Sequence, residues 1–194
     1  RRVDDAIDDA IELAPQEVEE PEDREPLEEL LGERRADDRG DREGDEVLYL
    51  HKNPGRNGPE MRSRVGHRMP LARTGIGKAL MLDDSPQEWQ RLYEVSLPLG
   101  GKNQFWPQHP EQSWEQFQQR MIEYVAGGYA FDLEDNEPSI RCVAAPVRDA
   151  SRRIVAGISI ASTVPYMPLE KMAELIPLIK GVTARLSAEL GLKV

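Results

Sequence analysis

The stretch Val65-Gly-His-Arg-Met-Pro-Leu-Ala-Arg-Thr-Gly-Ile-Gly-Lys-Ala-Leu-Met81 joins an extended basic run to a segment of helical composition. A turn follows Pro70, and Gly75 and Gly77 open the helical segment. Glycines beside a helix start let another group approach the backbone closely and leave N–H groups unpaired. Such amides suit the oxygens of a phosphate or a carboxylate. Spacing alone also allows a plain strand-to-helix turn, so the stretch predicts a turn and a candidate anion site.

Two phosphate-binding motifs fail at this stretch. The phosphate-binding loop requires glycine, four residues and then Gly-Lys-Ser/Thr. Here Ala72 stands five positions before Gly77, and Ala79 follows Lys78, so the hydroxyl that would hold magnesium is missing. The dinucleotide pattern G-x-G-x-x-G fails because Leu80 replaces its third glycine. No cofactor is therefore predicted.

Composition limits the class of protein. The 194 residues suffice for one domain with a sizeable core, and the net charge of −11 is unevenly distributed. Residues 1–46 carry 20 acidic and 7 basic side chains, so the rest of the chain is nearly neutral and lacks a basic nucleic-acid-binding stripe. The single cysteine, Cys142, suits a reducing cytoplasm, and no apolar run approaches the roughly 20 residues of a membrane span. We expect a soluble cytoplasmic protein without a membrane partner.

Apolar periodicity predicts a mixed chain of strands and helices. Strands are predicted at 47–52, 60–65, 129–133, 140–147 and 154–161, and helices at 76–82, 87–95, 111–126 and 169–190. The first two strands form a hairpin across a turn-rich segment. Residues 34–46 contain one apolar side chain, Ala36, and are predicted to be a loop or disordered. The fold class is α+β, an antiparallel sheet with helices packed on it.

Three separated strings carry a family resemblance. They are GHRMPLARTGIGKALML at 66–82, GGYAFDLEDNEPSIRCVAAPVRD at 127–149 and IVAGISIAST at 154–163. From about Asp45 onward the chain resembles the effector-binding domain of IclR-type transcriptional regulators. The resemblance implies a GAF-like domain that binds a small organic acid and forms homodimers or homotetramers. It also implies that DNA is bound through a winged-helix domain, which this sequence does not show.

The same resemblance implies a domain division and a set of site residues. Residues 1–44 are an acidic leader, partly disordered, with a linker-helix remnant at 3–14, and residues 45–194 are the effector-binding domain. The implied effector-binding residues are Ile76, Gly77, Asp132, Ile140, Cys142 and Ser159. A second serine common in relatives is replaced here by Ala161, which removes one hydroxyl donor. Other roles stay open, namely core packing for Ile76 and Ile140 and turn capping beside Asn136 for Asp132.

Two other functional classes compete with a sensor. An enzyme is not predicted, because no nucleophile and base are grouped in the sequence and no catalytic residue can be named. No metal site is predicted either, because His51, His67 and His109 lie in unrelated contexts. The main alternative is an oligomerisation domain with a degenerate pocket, and a small enzyme is less favoured.

Overall fold

A computed structural model describes residues 36–53, 61, 63–102 and 113–193. The strands are β1 (Ala36–Glu43), β2 (Glu46–Asn53), β3 (Arg68–Pro70), β4 (Ala130–Leu133), β5 (Ile140–Arg148) and β6 (Ile154–Thr163). The helices are α1 (Gly75–Leu80), α2 (Pro86–Lys102), α3 (Trp114–Gly127) and α4 (Leu169–Glu189). Short 3-10 turns lie at Leu71–Arg73 and Val164–Tyr166. The predicted linker helix at 3–14 lies outside the described residues.

The six strands form one antiparallel sheet in the order β3-β2-β1-β6-β5-β4. Helix α1 packs on one face of the sheet, against β5 and β6, while α4 packs on the other face of the same two strands. Two hydrophobic cores result, one on each face. The predicted α+β class with an antiparallel sheet is confirmed.

Side chains alternate between the two faces along β5. Val143, Ala145 and Val147 lie in the core beneath α4, whereas Ala144 belongs to the core on the α1 face. Directly opposite residues of antiparallel strands share a face. Ser159 is opposite Ala144, and it therefore lies on the α1 face.

The loop predicted for residues 34–46 is wrong over β1. Residues 36–43 form a strand between β2 and β6, and Gly44 makes the turn into β2. The charged composition is tolerated in part because Arg42 reaches Asp84 at 2.7 Å and Glu88 at 3.1 Å, so its guanidinium is paired at the sheet surface. Residues 36–43 therefore belong to the sheet, and residues 1–35 of the predicted leader lie outside the described residues.

The strand predicted at 60–65 is also wrong. Residues 63–65 are not in a strand, and β3 begins only at Arg68. Gly66 adopts a φ of +83°, and its N–H donates to the carbonyl of Tyr49 at 2.8 Å, so the chain turns before it pairs with β2. Val65 is 61% exposed, which explains why its apolar character did not mark a buried strand.

The later elements follow their sequence signals. Helix α3 begins at a capping box between Ser113 and Gln116 and ends at Gly128, whose φ is +68°. Helix α4 carries Pro177 in its interior. Helix α2 runs to Lys102, beyond the predicted end at 95. The remaining predicted strands and helices are confirmed to within a few residues at their ends, among the described residues.

Candidate functional site

The first turn of α1 leaves two backbone amides without hydrogen-bond partners among the described residues. Thr74 caps the helix, its side-chain oxygen accepting from the Gly77 N–H at 2.9 Å and its carbonyl from the Lys78 N–H at 3.0 Å. The N–H groups of Gly75 and Ile76 donate to no described residue, although both residues are buried. The two amides available to a ligand are therefore those of Gly75 and Ile76, whereas the Gly77 amide is used by the cap.

Both glycines of α1 permit close packing. A Cβ on Gly77 would overlap the backbone of Leu71, and a Cβ on Gly75 would overlap the sulfur of Cys142. The same position on Gly75 lies 3.4 Å from the backbone nitrogen of Asp132 and 3.6 Å from the Cβ of Ala144. The start of α1 is thus seated directly on β4 and β5.

Ile76 has a packing role. A Cβ on Gly157 would lie 2.9 Å from its Cγ2, and one on Gly40 would lie 3.3 Å from the same atom. Gly40 of β1 and Gly157 of β6 are directly opposite each other. Because neither residue has a side chain, the Ile76 side chain packs closely against both strands. The Ile76 side chain therefore packs in the core, which is one of the roles that the sequence left open. Only its backbone N–H is available to a ligand.

Ser159 lies on the same face as the start of α1. It is 2% exposed, and its hydroxyl makes no hydrogen bond to a described residue. It is opposite Ala144 on β5, and Cys142 occupies the next position on that face. The structure therefore brings together Ile76, Cys142 and Ser159 around one stretch of the sheet.

Asp132 of β4 lies directly opposite Cys142 and borders the same face of the sheet. It is 5% exposed, and its Oδ1 accepts from the Asp135 N–H at 2.7 Å, so it caps the turn after β4. Burial raises the pKa of Asp132 to about 7, and the attraction of Lys78 opposes this shift while the charge of Asp135 adds to it. Near neutral pH the Asp132 carboxyl is therefore protonated in part of the molecules and charged in the rest.

A buried ion pair behind Asp132 was not predicted from sequence. Lys78 is 1% exposed, and its Nζ donates to Asp135 Oδ2 at 2.5 Å and to the Phe131 carbonyl at 3.2 Å. Arg120 of α3 reaches the other oxygen of Asp135 at 3.4 Å. Burial alone would raise the pKa of Asp135, but Lys78 and Arg120 outweigh it and lower that pKa. The available signal was one lysine inside the apolar run 76–82.

A small apolar cluster borders the site beyond Ser159. Met61, Cys142 and Ala161 are buried together, with Ile140 packed against them. On each strand these residues continue the α1 face, because Ala161 follows Ser159 by two positions and Ile140 precedes Cys142 by two. We call these four residues the apolar wall, and the Gly75 and Ile76 amides with Asp132 and Ser159 the polar end.

Other kinds of site receive no support from the part of the chain that the structure describes. It contains no cluster of three or more histidine, cysteine, aspartate or glutamate side chains arranged for a metal ion, and His109 lies outside it. Of the helices described, none combines the length and apolar character of a membrane span.

Comparison with known proteins gives the class. A family model described as "Bacterial transcriptional regulator IclR C-terminal" matches residues 36–188. The regulator KdgR of Escherichia coli (strain K12) is 29% identical over 150 residues, covering 76% of this chain and 54% of that protein. The structure of the repressor BlcR from Agobacterium tumefaciens is similar with a TM-score of 0.75 at 22% identity, covering 100% of this chain and 69% of that one.

A further structural neighbour carries a ligand. It is an IclR homolog from Microbacterium hydrocarbonoxydans complexed with 4-hydroxybenzoate, with a TM-score of 0.66 at 15% identity, covering 80% of this chain and 60% of that one. Fold and relatives define the regulatory domain of a bacterial transcriptional regulator. The chain belongs to the IclR family, and it carries the C-terminal domain of that family. It spans about half the length of the curated relatives it matches.

Proposed function

We propose that this domain senses a small organic acid, which binds between the start of α1 and strands β4 to β6. One observation carries the proposal: on a single face of the sheet, three donors of buried residues lack partners among the described residues, namely the N–H groups of Gly75 and Ile76 and the hydroxyl of Ser159. Buried polar groups in native proteins are nearly always satisfied, so these three call for a ligand or ordered water. The argument rests on the unpaired donors, since α1 itself has only six residues.

The three donors favour an acid, because carboxylate oxygens accept hydrogen bonds from amides and hydroxyls. Lys78 and Arg120 face Asp135 behind the site, and Asp132 stands at its edge. A ligand carboxylate accepts hydrogen bonds from the two amides and from the Ser159 hydroxyl. Asp132 donates a hydrogen bond to the ligand when it is neutral, and accepts one from a ligand hydroxyl when it is charged. The 4-hydroxybenzoate in a neighbour of the same fold supports a carboxylate-bearing ligand.

In this proposal, ligand binding changes the affinity for DNA of a winged-helix domain outside the residues described. An acid that binds two arrangements of the subunits with different affinities shifts the balance between them. We infer a homodimer or homotetramer as the unit that responds. Light scattering with and without a bound acid measures whether the assembly changes.

Thermal unfolding with a panel of acids tests the pocket. The panel contains 4-hydroxybenzoate, gluconate and pyruvate, each at millimolar concentration, because a ligand that binds only the folded state raises Tm. At least one acid is expected to raise Tm by several degrees. If none does and the assembly is unchanged, the domain serves oligomerisation alone.

A pair of serine variants shows whether the site is the one described. Ser159→Ala removes an unpaired hydroxyl, so we expect about a tenfold loss of ligand affinity with little change in the Tm of the free protein. Ser96→Ala is the control, because its buried hydroxyl already donates to the Tyr93 carbonyl at 2.6 Å on α2. That variant is expected to lower Tm and keep the ligand-induced shift. The opposite pattern contradicts the assignment.

A further inference from the structure

The proposed site has two chemically different ends. The polar end holds the unpaired donors, whereas the side chains of the apolar wall, Met61, Ile140, Cys142 and Ala161, contain no oxygen or nitrogen. The wall forms a cluster separate from the two main cores, so its members are not simply the margin of the packing beneath α1 or α4. A ligand that occupies both ends meets donors at one end and, within the part of the chain that the structure describes, the four side chains of the wall at the other.

The spacing of the sheet sets the size of the ligand. Two residues along a strand advance by roughly 7 Å, so Ala161 lies about that distance beyond Ser159. Ile140 lies a further two positions along the same face, past Cys142. An acid whose carboxylate is held at the polar end therefore places a ring-sized body against the wall.

The wall also discriminates by polarity. A hydroxyl group of a ligand placed there meets only the weakly hydrogen-bonding sulfurs of Met61 and Cys142 among these four side chains, and burying a poorly paired hydroxyl costs affinity. An apolar ring instead gains from its burial against Met61 and Ile140. Ala161 contributes to this preference directly, since a serine there would supply a donor.

We propose that the effector is a monocarboxylic acid with an apolar ring-sized body, in preference to a polyhydroxylated sugar acid. This inference rests on the function proposed above and deepens it by naming the ligand class. It predicts that hydroxyl groups on the ring weaken binding, while the carboxylate is required.

Cyclohexanecarboxylate and quinate form a matched pair of probes, because they share the ring and the carboxylate and differ in the ring hydroxyls. Calorimetric titration of the full chain is expected to show at least tenfold tighter binding of cyclohexanecarboxylate than of quinate. Benzoate is expected to behave like cyclohexanecarboxylate. Tighter binding of quinate overturns the inference.

The remaining outcomes separate this inference from the proposed function. If neither ring acid binds while gluconate or pyruvate does, the apolar preference is wrong and the acid sensor stands. If no acid of either set binds, both proposals fail. Each result is read from the same titrations.

Two variants locate the preference in the wall. Ala161→Ser adds a hydroxyl, and we expect it to reduce the preference for cyclohexanecarboxylate over quinate at least threefold. Ala145→Ser makes the same change on the opposite face of β5, beneath α4, and is expected to keep the preference. Met61→Gln is the second test, should Ala161→Ser fail to fold. An unchanged preference in Ala161→Ser or Met61→Gln contradicts the assignment.

Discussion

The sulfur of Cys142 fills the space that a Cβ on Gly75 would need. The contact joins the first residue of α1 to the middle of the α1 face of β5, where the polar end and the apolar wall meet. A side chain at position 75 must therefore displace either the sulfur or the helix. Because the Gly75 N–H is one of the unpaired donors, any displacement of the helix also moves the proposed site.

Gly75→Ala is expected to destabilise the fold by about 2 to 3 kcal/mol, the upper part of the range for overpacking. Adding Cys142→Ala removes the sulfur that the new methyl meets, since the other neighbours lie at 3.4 and 3.6 Å. The double variant should recover more than half of the lost stability. Urea denaturation of the two single variants and the double variant measures the coupling. Strictly additive losses would mean that the two positions do not touch.

Gly77→Ala is expected to cost more than Gly75→Ala, above about 3 kcal/mol, because the added methyl meets the backbone of Leu71. No side-chain truncation can relieve a backbone overlap, so Leu71→Ala should not rescue it. Gly181→Ala is the matched control in α4, where a Cβ meets nothing within 4 Å. That variant should gain about 0.5 to 1 kcal/mol in the same denaturation assay.

Lys78→Met is expected to destabilise the fold by about 3 to 5 kcal/mol, because it removes the closer of the two cations that pair with the buried carboxylate of Asp135 and leaves Arg120 at 3.4 Å. Arg120→Met should cost about 1 kcal/mol, since Arg120 is 23% exposed and lies 3.4 Å from the same carboxylate. Adding Asp135→Asn to Lys78→Met removes the orphaned charge and should recover stability. If the Lys78 and Arg120 variants lose equal free energy of unfolding, the buried Lys78–Asp135 pair contributes no more to stability than the longer Arg120–Asp135 pair.

The sequence revealed those elements whose chemistry is local. Strands β4 to β6 and helix α4 were predicted because their apolar periodicity lies within single segments. Strand β1 was missed because Arg42 is paired with Asp84 and Glu88, more than 40 residues away, and no local window shows those partners. The Lys78–Asp135 pair was missed for the same reason, because it spans 57 positions.

The proposed site was predictable only through family resemblance. That resemblance named Asp132, Cys142 and Ser159, and the structure places these three on one face of the sheet. Which amides are available depends on the Thr74 cap, which is a matter of local geometry. The sequence suggested Ile76 and Gly77, and the cap leaves Gly75 and Ile76 instead.

Asp132 makes stability depend on pH in a direction opposite to that of most carboxylates. Burial holds its pKa at about 7 in the folded protein, against 3.8 as the ordinary value. Between these two values the folded chain binds more protons than the unfolded chain, so stability falls as pH rises from about 4 to about 7. Asp135 contributes outside this window, because its lowered pKa affects stability only below about pH 4.

Asp132→Asn is therefore expected to flatten the decline in unfolding free energy between pH 4 and 7, by up to about 4 kcal/mol at 1.36 kcal/mol per pKa unit. Urea denaturation at half-unit pH steps measures the slope.

Asp149→Asn is the control. Hydrogen bonds, of which the one from the Ser151 side chain has the largest effect, hold the pKa of Asp149 at about 2, below the pH range of the test. It should keep the slope of the unmodified chain. Asp84, whose pKa burial also raises, adds a background decline common to all three proteins. Parallel curves for the unmodified chain and Asp132→Asn would show that Asp132 is charged throughout this range.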